Sequence, residues 1–270
     1  MDFDEIARRG LVMLGCGKMG QAMLEGWLEA GLPAGAVWVL DPKPSDWVTA
    51  RGVHVNAGLP ADPAVAIVAV KPQVMDAALG QLAPLGGGGT LMISVAAGTS
   101  ISLFEEVLGK ATRVIRAMPN TPAAVGRGIT AIVGNDAAGA ADADIAEALL
   151  SAVGQVVRLS DEDQIDAVTG VSGSGPAYIF YMIETLAAAG RAEGLPDEMA
   201  MQLAKATVAG AGALAEAAED SPEQLRRNVT SPNGTTQAGL EVLMDEGKGL
   251  APLMRATVGA AANRARELKG

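Results

Sequence analysis

Aromatic residues are scarce in this sequence. Phe, Trp and Tyr make up 3% of 270 residues, so nearly all of any core must come from Ala, Val, Leu, Ile and Met. Cysteine occurs once, as Cys16, which excludes an intrachain disulfide and fits a reducing compartment. Histidine also occurs once, as His54, in a short strand pattern where no catalytic role is expected. No His/Cys cluster or carboxylate pair stands at ligand spacing, so nothing supports a metal site. Apolar stretches are broken by Gly, Pro or charge well short of a membrane span. The acidic start, Met1-Asp2-Phe3-Asp4-Glu5, lacks the basic opening of a signal peptide. Basic stripes are missing too: the net charge is -11, and Arg226-Arg227 and the basic residues near the end form short clusters suited to solvated helix faces. Such a chain repels nucleic acid and anionic membranes. The expectation is a cytoplasmic protein with no nucleic-acid or membrane partner.

Hydrophobic residues account for 49% of the chain, enough for a sizeable core. Short apolar runs at 11–14, 36–40, 53–55, 66–70, 91–95, 113–117, 129–133 and 155–159 read as strands. A helix is expected over 18–30, closed by Gly31 and Pro33. Alternation of strands and helices implies a mostly parallel sheet covered on both faces. Four consecutive glycines, Gly86 to Gly89, imply a loop. Strand patterns stop near Asp161. Pro176, Pro196 and Pro222 then sit where helices start, with further helices from Thr235 and from Leu250. The fold class is therefore α/β followed by all-α, with a dinucleotide-binding domain over 1–160 and a helical domain over 161–270. Small-residue faces such as Ala206 to Gly212 suit close packing, within the chain or against a second subunit.

The first strand ends in Gly15-Cys16-Gly17-Lys18-Met19-Gly20, a G-x-G-x-x-G between strand and helix. Its first Gly permits a tight turn, its second lets the backbone approach a pyrophosphate, and its third lets helix and strand pack closely. The helix start offers N–H groups to that pyrophosphate, with Lys18 and Met19 beside them. Asp41 ends the second strand, where a carboxylate commonly meets a ribose hydroxyl, which favours NAD. Lys43 and Ser45 follow and can hold a 2'-phosphate, which favours NADP. Asn56, just past the third strand, joins this candidate set. Val70-Lys71-Pro72 and Ala97 close the fourth and fifth strands on the same edge, where open parallel sheets bind ligands. After the sixth strand comes Met118-Pro119-Asn120-Thr121-Pro122, a rigid polar turn whose Asn120 suits a nicotinamide carboxamide, an ordered water or a plain Asx turn.

Two later segments complete the pattern: Val171-Ser172-Gly173-Ser174-Gly175-Pro176-Ala177-Tyr178 and Ser231-Pro232-Asn233-Gly234-Thr235-Thr236. Together with "GCGKMG", "AVKPQ" and "RAMPNTP", in this order, they resemble the pyrroline-5-carboxylate reductase family from about residue 11 to 268. The "SPNGTT" segment departs from the family pattern in one position, with Asn233 where a first glycine is usual. Asn tolerates positive φ, so the loop is expected to survive. The resemblance implies reduction of a cyclic imine to proline, the last step of proline biosynthesis, with NADPH, or NADH as the alternative. It also implies a homo-oligomer, at least a dimer through the helical domain, with assembly up to a decamer. Asp41 departs from the small polar residues often found at its position in the family.

For such a reaction the enzyme must anchor a carboxylate, offer a hydrogen bond to nitrogen and keep the pocket dry. Ser231, Gly234, Thr235 and Thr236 form the candidate substrate-binding set, with backbone N–H groups of the last three as the anchor. Thr236 matches the family threonine that lies near the imine nitrogen and is the candidate catalytic residue. The competing reading is that Thr235 and Thr236 only cap their helix. Ser174, Gly175 and Pro176 either shape the pocket or form only an interhelix turn. Two rival functions stand beside this one: a hydroxyacid dehydrogenase using Lys205, and a cofactor-binding sensor without turnover.

Overall fold

The structure is a computed structural model and describes residues 3–268. Its sheet contains β1 (Leu11–Leu14), β2 (Val37–Leu40), β3 (His54–Val55), β4 (Val65–Val68), β5 (Leu91–Ser94), β6 (Arg113–Met118), β7 (Gly128–Gly134) and β8 (Gly154–Arg158), in the order β3-β2-β1-β4-β5-β6-β7-β8. Helices α1 (Asp4–Arg9), α2 (Lys18–Glu29), α3 (Asp46–Thr49), α4 (Met75–Leu79), α5 (Ile101–Leu108), α6 (Ala140–Leu150) and α7 (Gln164–Val168) accompany it. The helical region holds α8 (Gly175–Ala192), α9 (Asp197–Ala217), α10 (Pro222–Asn228), α11 (Thr235–Leu243) and α12 (Leu250–Glu267).

Every neighbouring pair of strands is parallel except β6 and β7. The link between those two, residues 119–127, is too short for a crossover, which needs about a dozen residues or more. The chain therefore turns back, a reversal that the apolar runs alone do not reveal.

Alternate residues of each strand bury on opposite faces, which is why the strands read as unbroken apolar runs. Leu11, Met13, Val37, Val39, Val65 and Ile67 pack on one face with Trp27 of α2 and Leu149 of α6. Val12, Leu14, Ala66, Val68 and Met92 pack on the other with Leu79 of α4 and Phe104 of α5. Each fully buried Leu, Ile or Val contributes about 1.5–3 kcal/mol. The few aromatics anchor these layers: Trp27 and Phe104 lie one per face, and the Trp27 indole donates to the Leu149 carbonyl at 2.7 Å. His54 stacks on Trp38 with centroids 4.5 Å apart and bonds the Gly35 carbonyl through Nε2.

Contacts divide the chain between Gly173 and Ser174: residues up to Gly173 and from Ala262 onward form one unit, and Ser174–Ala261 form the other. The last strand, β8, ends before this division, at Arg158. The first unit runs further because α7 buries Ile165 against the α5 side of the sheet, and the Asn120 amide donates to the Ser172 carbonyl. Residues Thr169–Gly173 form a π turn between α7 and α8.

In the helical unit, α8 and α9 are joined by a short link through Gly194 and bury Ala187, Ala200 and Ala204. Pro196 is the N-cap of α9, and the Ser221 hydroxyl caps α10 by accepting from the Gln224 N–H. Large apolar side chains remain uncovered along α8, α9 and α12, among them Phe180, Tyr181, Leu203, Leu214 and Leu253. No helix among the described residues is long and apolar enough to cross a membrane.

Candidate active site

Strand order reverses between β1 and β4, leaving a crevice beyond the carboxyl ends of the strands. Leu40, Leu14, Val68, Ser94 and Arg116 lie in one register row across β2, β1, β4, β5 and β6. Four strand spacings of about 4.8 Å make this row roughly 19 Å long, a span suited to an extended dinucleotide. Ladder bonds continue one residue past the row: the Gly15, Ala69 and Val95 N–H groups donate to Leu40, Leu14 and Val68.

The glycine loop sits at the middle of this edge. Gly15 has φ +83, and a Cβ there would lie 2.8 Å from Val70 Cγ1 and 3.0 Å from the Ala69 carbonyl oxygen. Gly20 brings α2 against the loop, its Cβ direction meeting the Gly15 carbonyl at 3.1 Å. Gly17 differs from both, because a Cβ there would meet nothing within 4 Å. Gly17 is also the N-cap of α2 and supplies no side-chain cap. Among the described residues, none accepts a hydrogen bond from the N–H of Gly17, Lys18 or Met19. An open backbone face with unclaimed donors at a helix start fits the pyrophosphate of a dinucleotide.

Asp41 closes the adjacent strand and binds the same loop. Its Oδ2 accepts from the Cys16 N–H at 2.8 Å, and its Oδ1 accepts from the Lys43 N–H at 2.8 Å. Asn56, at φ 52, holds the Asp41 backbone from both sides: Oδ1 accepts from the Asp41 N–H at 3.0 Å and Nδ2 donates to its carbonyl at 2.9 Å. Ser45 caps α3 and accepts from Gln21 Nε2, which also donates to the Cys16 carbonyl. Gln21 is a brace that sequence reasoning missed, since nothing local marks it. Burial pushes the Cys16 thiol up to about 12, and the Asp41 charge adds to the rise, which disfavours the thiolate form that a nucleophile needs.

Farther along the edge, Lys71 is extended and exposed, and Pro72 opens a short 3-10 turn. Val70 packs over Gly15, and Ala97 is exposed after β5. The Asn120 side chain is already engaged: its Oδ1 accepts from the Ile129 N–H at 3.0 Å and its Nδ2 donates to Ser172 at 3.1 Å. It ties the turn after β6 to β7 and to the π turn. Strand β6 also carries an ion pair that no local sequence pattern marks. Arg116, 3% exposed, donates to Glu162 Oε1, which also accepts from the Ile101 N–H at the start of α5.

In the helical unit, Asn233 adopts φ 57, so the asparagine takes the left-handed position that the loop requires. The Asn233 N–H donates to Gln237 Oε1 at 2.8 Å. Gly234, not a threonine, is the N-cap of α11, and no side chain caps this helix. Thr235 and Thr236 are exposed in the first turn. One expectation needs correction: the Gly234 N–H donates to the Ser231 carbonyl at 3.0 Å, because Ser231 to Gly234 closes as a tight turn. The Thr235 and Thr236 N–H groups find no acceptor among the described residues.

A cavity of about 380 Å³ lies at the opposite edge of the sheet, lined by Ile6, Arg9, Val65, Leu91, Arg113 and Leu149 among others. Its guanidiniums serve the fold: Arg9 binds Glu5 and Asp62, and Arg113 binds Asp142 and the Gly88 and Gly89 carbonyls. Among the described residues no group of His, Cys, Asp or Glu side chains is placed to hold a metal ion.

Residues 162–268 match the family model for pyrroline-5-carboxylate reductase dimerisation, and residues 10–98 match that for an NADP oxidoreductase, coenzyme F420-dependent. The chain is 39% identical over 264 residues to a pyrroline-5-carboxylate reductase of Pseudomonas aeruginosa, covering 96% of each. It is 46% identical over 204 residues to one from Synechocystis, covering 76% of this chain and 74% of that one. The solved pyrroline-5-carboxylate reductase of Coxiella burnetii superposes with a TM-score of 0.91 at 36% identity, covering 97% of this chain and 99% of that one. The Plasmodium falciparum pyrroline carboxylate reductase with NADP bound superposes with a TM-score of 0.83 at 25% identity, covering 98% and 99%. A Rossmann-like domain with an open glycine loop, followed by a helical domain of the dimerisation type, places this chain in the pyrroline-5-carboxylate reductase family.

Proposed function

We propose that this chain reduces 1-pyrroline-5-carboxylate to L-proline with NADPH, NADH serving as the alternative. The observation that carries the reading is the turn before α11. There Asn233 at φ 57 presents the Thr235 and Thr236 N–H groups unclaimed, an anion site made without a basic side chain. That chemistry suits a carboxylate substrate on a protein of net charge -11.

A bound reduced nicotinamide supplies a hydride to the imine carbon. The chain's residues do the rest. The open Gly17 face and the N–H groups that follow would hold the pyrophosphate, and Val70, Lys71, Pro72 and Ala97 would border the cofactor along the strand ends. Asn120 supports this edge by fixing the turn after β6, and its second amide hydrogen is available to the carboxamide. Thr235 and Thr236 anchor the substrate carboxylate, with Ser231 closing the turn. The Thr236 hydroxyl would hydrogen-bond the imine nitrogen, and the one proton that nitrogen needs would come from solvent, directly or relayed through that hydroxyl. A threonine is too weak an acid to act alone near neutral pH, so most of the acceleration comes from positioning.

The dimerisation match and the uncovered apolar side chains on α8, α9 and α12 support a homo-oligomer built through the helical unit. The further assembly proposed is a decamer, five such dimers. Cytoplasmic residence accords with the single cysteine.

The test is oxidation of NADPH, and separately of NADH, in the presence of pyrroline-5-carboxylate, with proline detected as product. Turnover with proline formed is the expected result. Absence of turnover in folded protein that binds cofactor would overturn the reading and favour a sensor. Activity on a 3-hydroxy acid that Lys205→Ala abolishes would favour the dehydrogenase instead.

A further inference from the structure

Arg116 is the one charged residue in the register row of strand ends, the others being Leu40, Leu14, Val68 and Ser94. It is buried between Ser94 on β5 and Val133 on β7, both buried and uncharged. A guanidinium keeps its charge in such surroundings. Among the described residues Glu162 alone accepts a hydrogen bond from it. Glu162 lies after β8 and is fixed in turn by the Ile101 N–H at the start of α5, at 3.0 Å. Residues 118 and 120 continue the same tie: Met118 Cε lies 2.6 Å from where a Cβ of Gly173 would stand, and Asn120 donates to the Ser172 carbonyl. Glu162 therefore cannot leave without stripping the Ile101 N–H, and Arg116 has no second acid to turn to among the described residues.

On the dinucleotide reading above, the pyrophosphate lies at the loop after β1 and the nicotinamide toward β5 and β6. Arg116 stands three strand spacings from that loop, roughly 14 Å. The nicotinamide ring is neutral in NADPH and carries one positive charge in NADP+. Hydride transfer therefore creates a cation on the side of the crevice that already holds a buried one. Two like charges about 10 Å apart, at an effective dielectric constant near 20, repel enough to shift an equilibrium about tenfold. Glu162 supplies the equal and opposite charge.

We propose that Glu162 is a positioning residue that acts through Arg116: it fixes the guanidinium and cancels its charge, so that the oxidised, cationic nicotinamide is tolerated where the neutral one was bound. The proposal rests on the dinucleotide reading and deepens it. Without Glu162 the uncompensated guanidinium opposes the charge that hydride transfer creates. Without Arg116 the remaining carboxylate favours that charge.

The experiment is calorimetric titration of NADPH and of NADP+, without imine, into the wild type, Glu162→Gln, Arg116→Gln and the double variant. Glutamine at 162 keeps an acceptor for the Ile101 N–H while removing the charge. The ratio of the NADP+ Kd to the NADPH Kd is expected to rise about three- to tenfold in Glu162→Gln. In Arg116→Gln it is expected to fall, by a smaller factor, because the Glu162 side chain is 28% exposed and water screens it. The double variant holds neither charge and is expected to return to the wild-type ratio. A merely structural tie would weaken both cofactors alike, so ratios that stay constant, or move the same way in both single variants, would overturn the proposal. Where Glu162→Gln fails to fold, Arg116→Gln decides by the same ratio, since its remaining carboxylate reaches water. Imine reduction is scored separately: opposed shifts in a protein that reduces no imine uphold the role of the pair and remove the function reading alone. Folded wild type that binds neither cofactor would remove the dinucleotide reading and this proposal with it.

Discussion

Gly17→Ala should separate folding from cofactor binding in this protein. At φ -73 and ψ -162 the residue occupies a region open to any L-amino acid, and the added methyl meets nothing within 4 Å. Two small effects oppose each other: a stiffer unfolded chain favours alanine by about 0.4–1 kcal/mol, and alanine is a poorer N-cap by a similar amount. Stability should therefore change by less than about 1 kcal/mol, and the melting temperature by less than about 3 °C. Cofactor binding should suffer far more. The methyl projects from the face that approaches the pyrophosphate, and displacing that group stretches charge-assisted hydrogen bonds worth about 1.5–3 kcal/mol each. Loss of one such bond weakens Kd by about 10- to 100-fold. Gly15→Ala provides the contrast: its methyl meets Val70 Cγ1 at 2.8 Å at a residue held at φ +83, so it should lose about 1–3 kcal/mol of stability. Thermal melts without cofactor, paired with NADPH titrations, read both quantities. Wild-type NADPH affinity in Gly17→Ala would refute the placement of the pyrophosphate, and a melting loss like that of Gly15→Ala would refute the open face.

Thr236→Ala should lower kcat about tenfold or more while leaving the NADPH Kd unchanged, and steady-state kinetics showing normal turnover would remove the hydroxyl from the mechanism. Because burial pushes the Cys16 thiol up to about 12, native protein at pH 8 should be alkylated roughly a thousandfold more slowly than denatured protein. Comparable rates, followed by mass spectrometry, would show that the loop between β1 and α2 opens freely. Asn120→Ala strips the Ile129 N–H and the Ser172 carbonyl of their partners, so denaturant unfolding should show a loss of about 2 kcal/mol. A stability within experimental error of the wild type would mean that this tie between β6, β7 and the π turn is dispensable.

Strands were the most legible part of the sequence, because parallel strands buried on both faces stand out as unbroken apolar runs. Direction was not: β7 runs against β6 because a short link forbids a crossover, a fact about connection length and not about residue type. Short helices such as α3, α4 and α7 span too few residues to display a helical period. The three glycines of the loop were readable from spacing, and the structure gives each a distinct neighbourhood. Asn233 was readable as well, since few residues other than glycine tolerate its φ. What stayed hidden were ties made by side chains over long separations. Asp41 meets Cys16 across 25 positions and Arg116 meets Glu162 across 46, so no local pattern announces either. The bracing role of Asn56 was hidden for the same reason.

Helix α12 carries a consequence for the order in which the protein is built. The division between the units falls within this helix at Ala262, which is buried, and beyond the helix Leu268 lies beside Gly98, its carbonyl 3.6 Å from where a Cβ of that glycine would stand. The sheet unit is thus made of two separate stretches of chain. A ribosome completes the eight strands and then all of Ser174–Ala261 before it makes the residues that finish the sheet unit. Domains commonly fold from the N-terminal end as they emerge. Here the unit synthesised first waits for its closing piece, so the helical unit has the whole of its chain available sooner than the unit that precedes it.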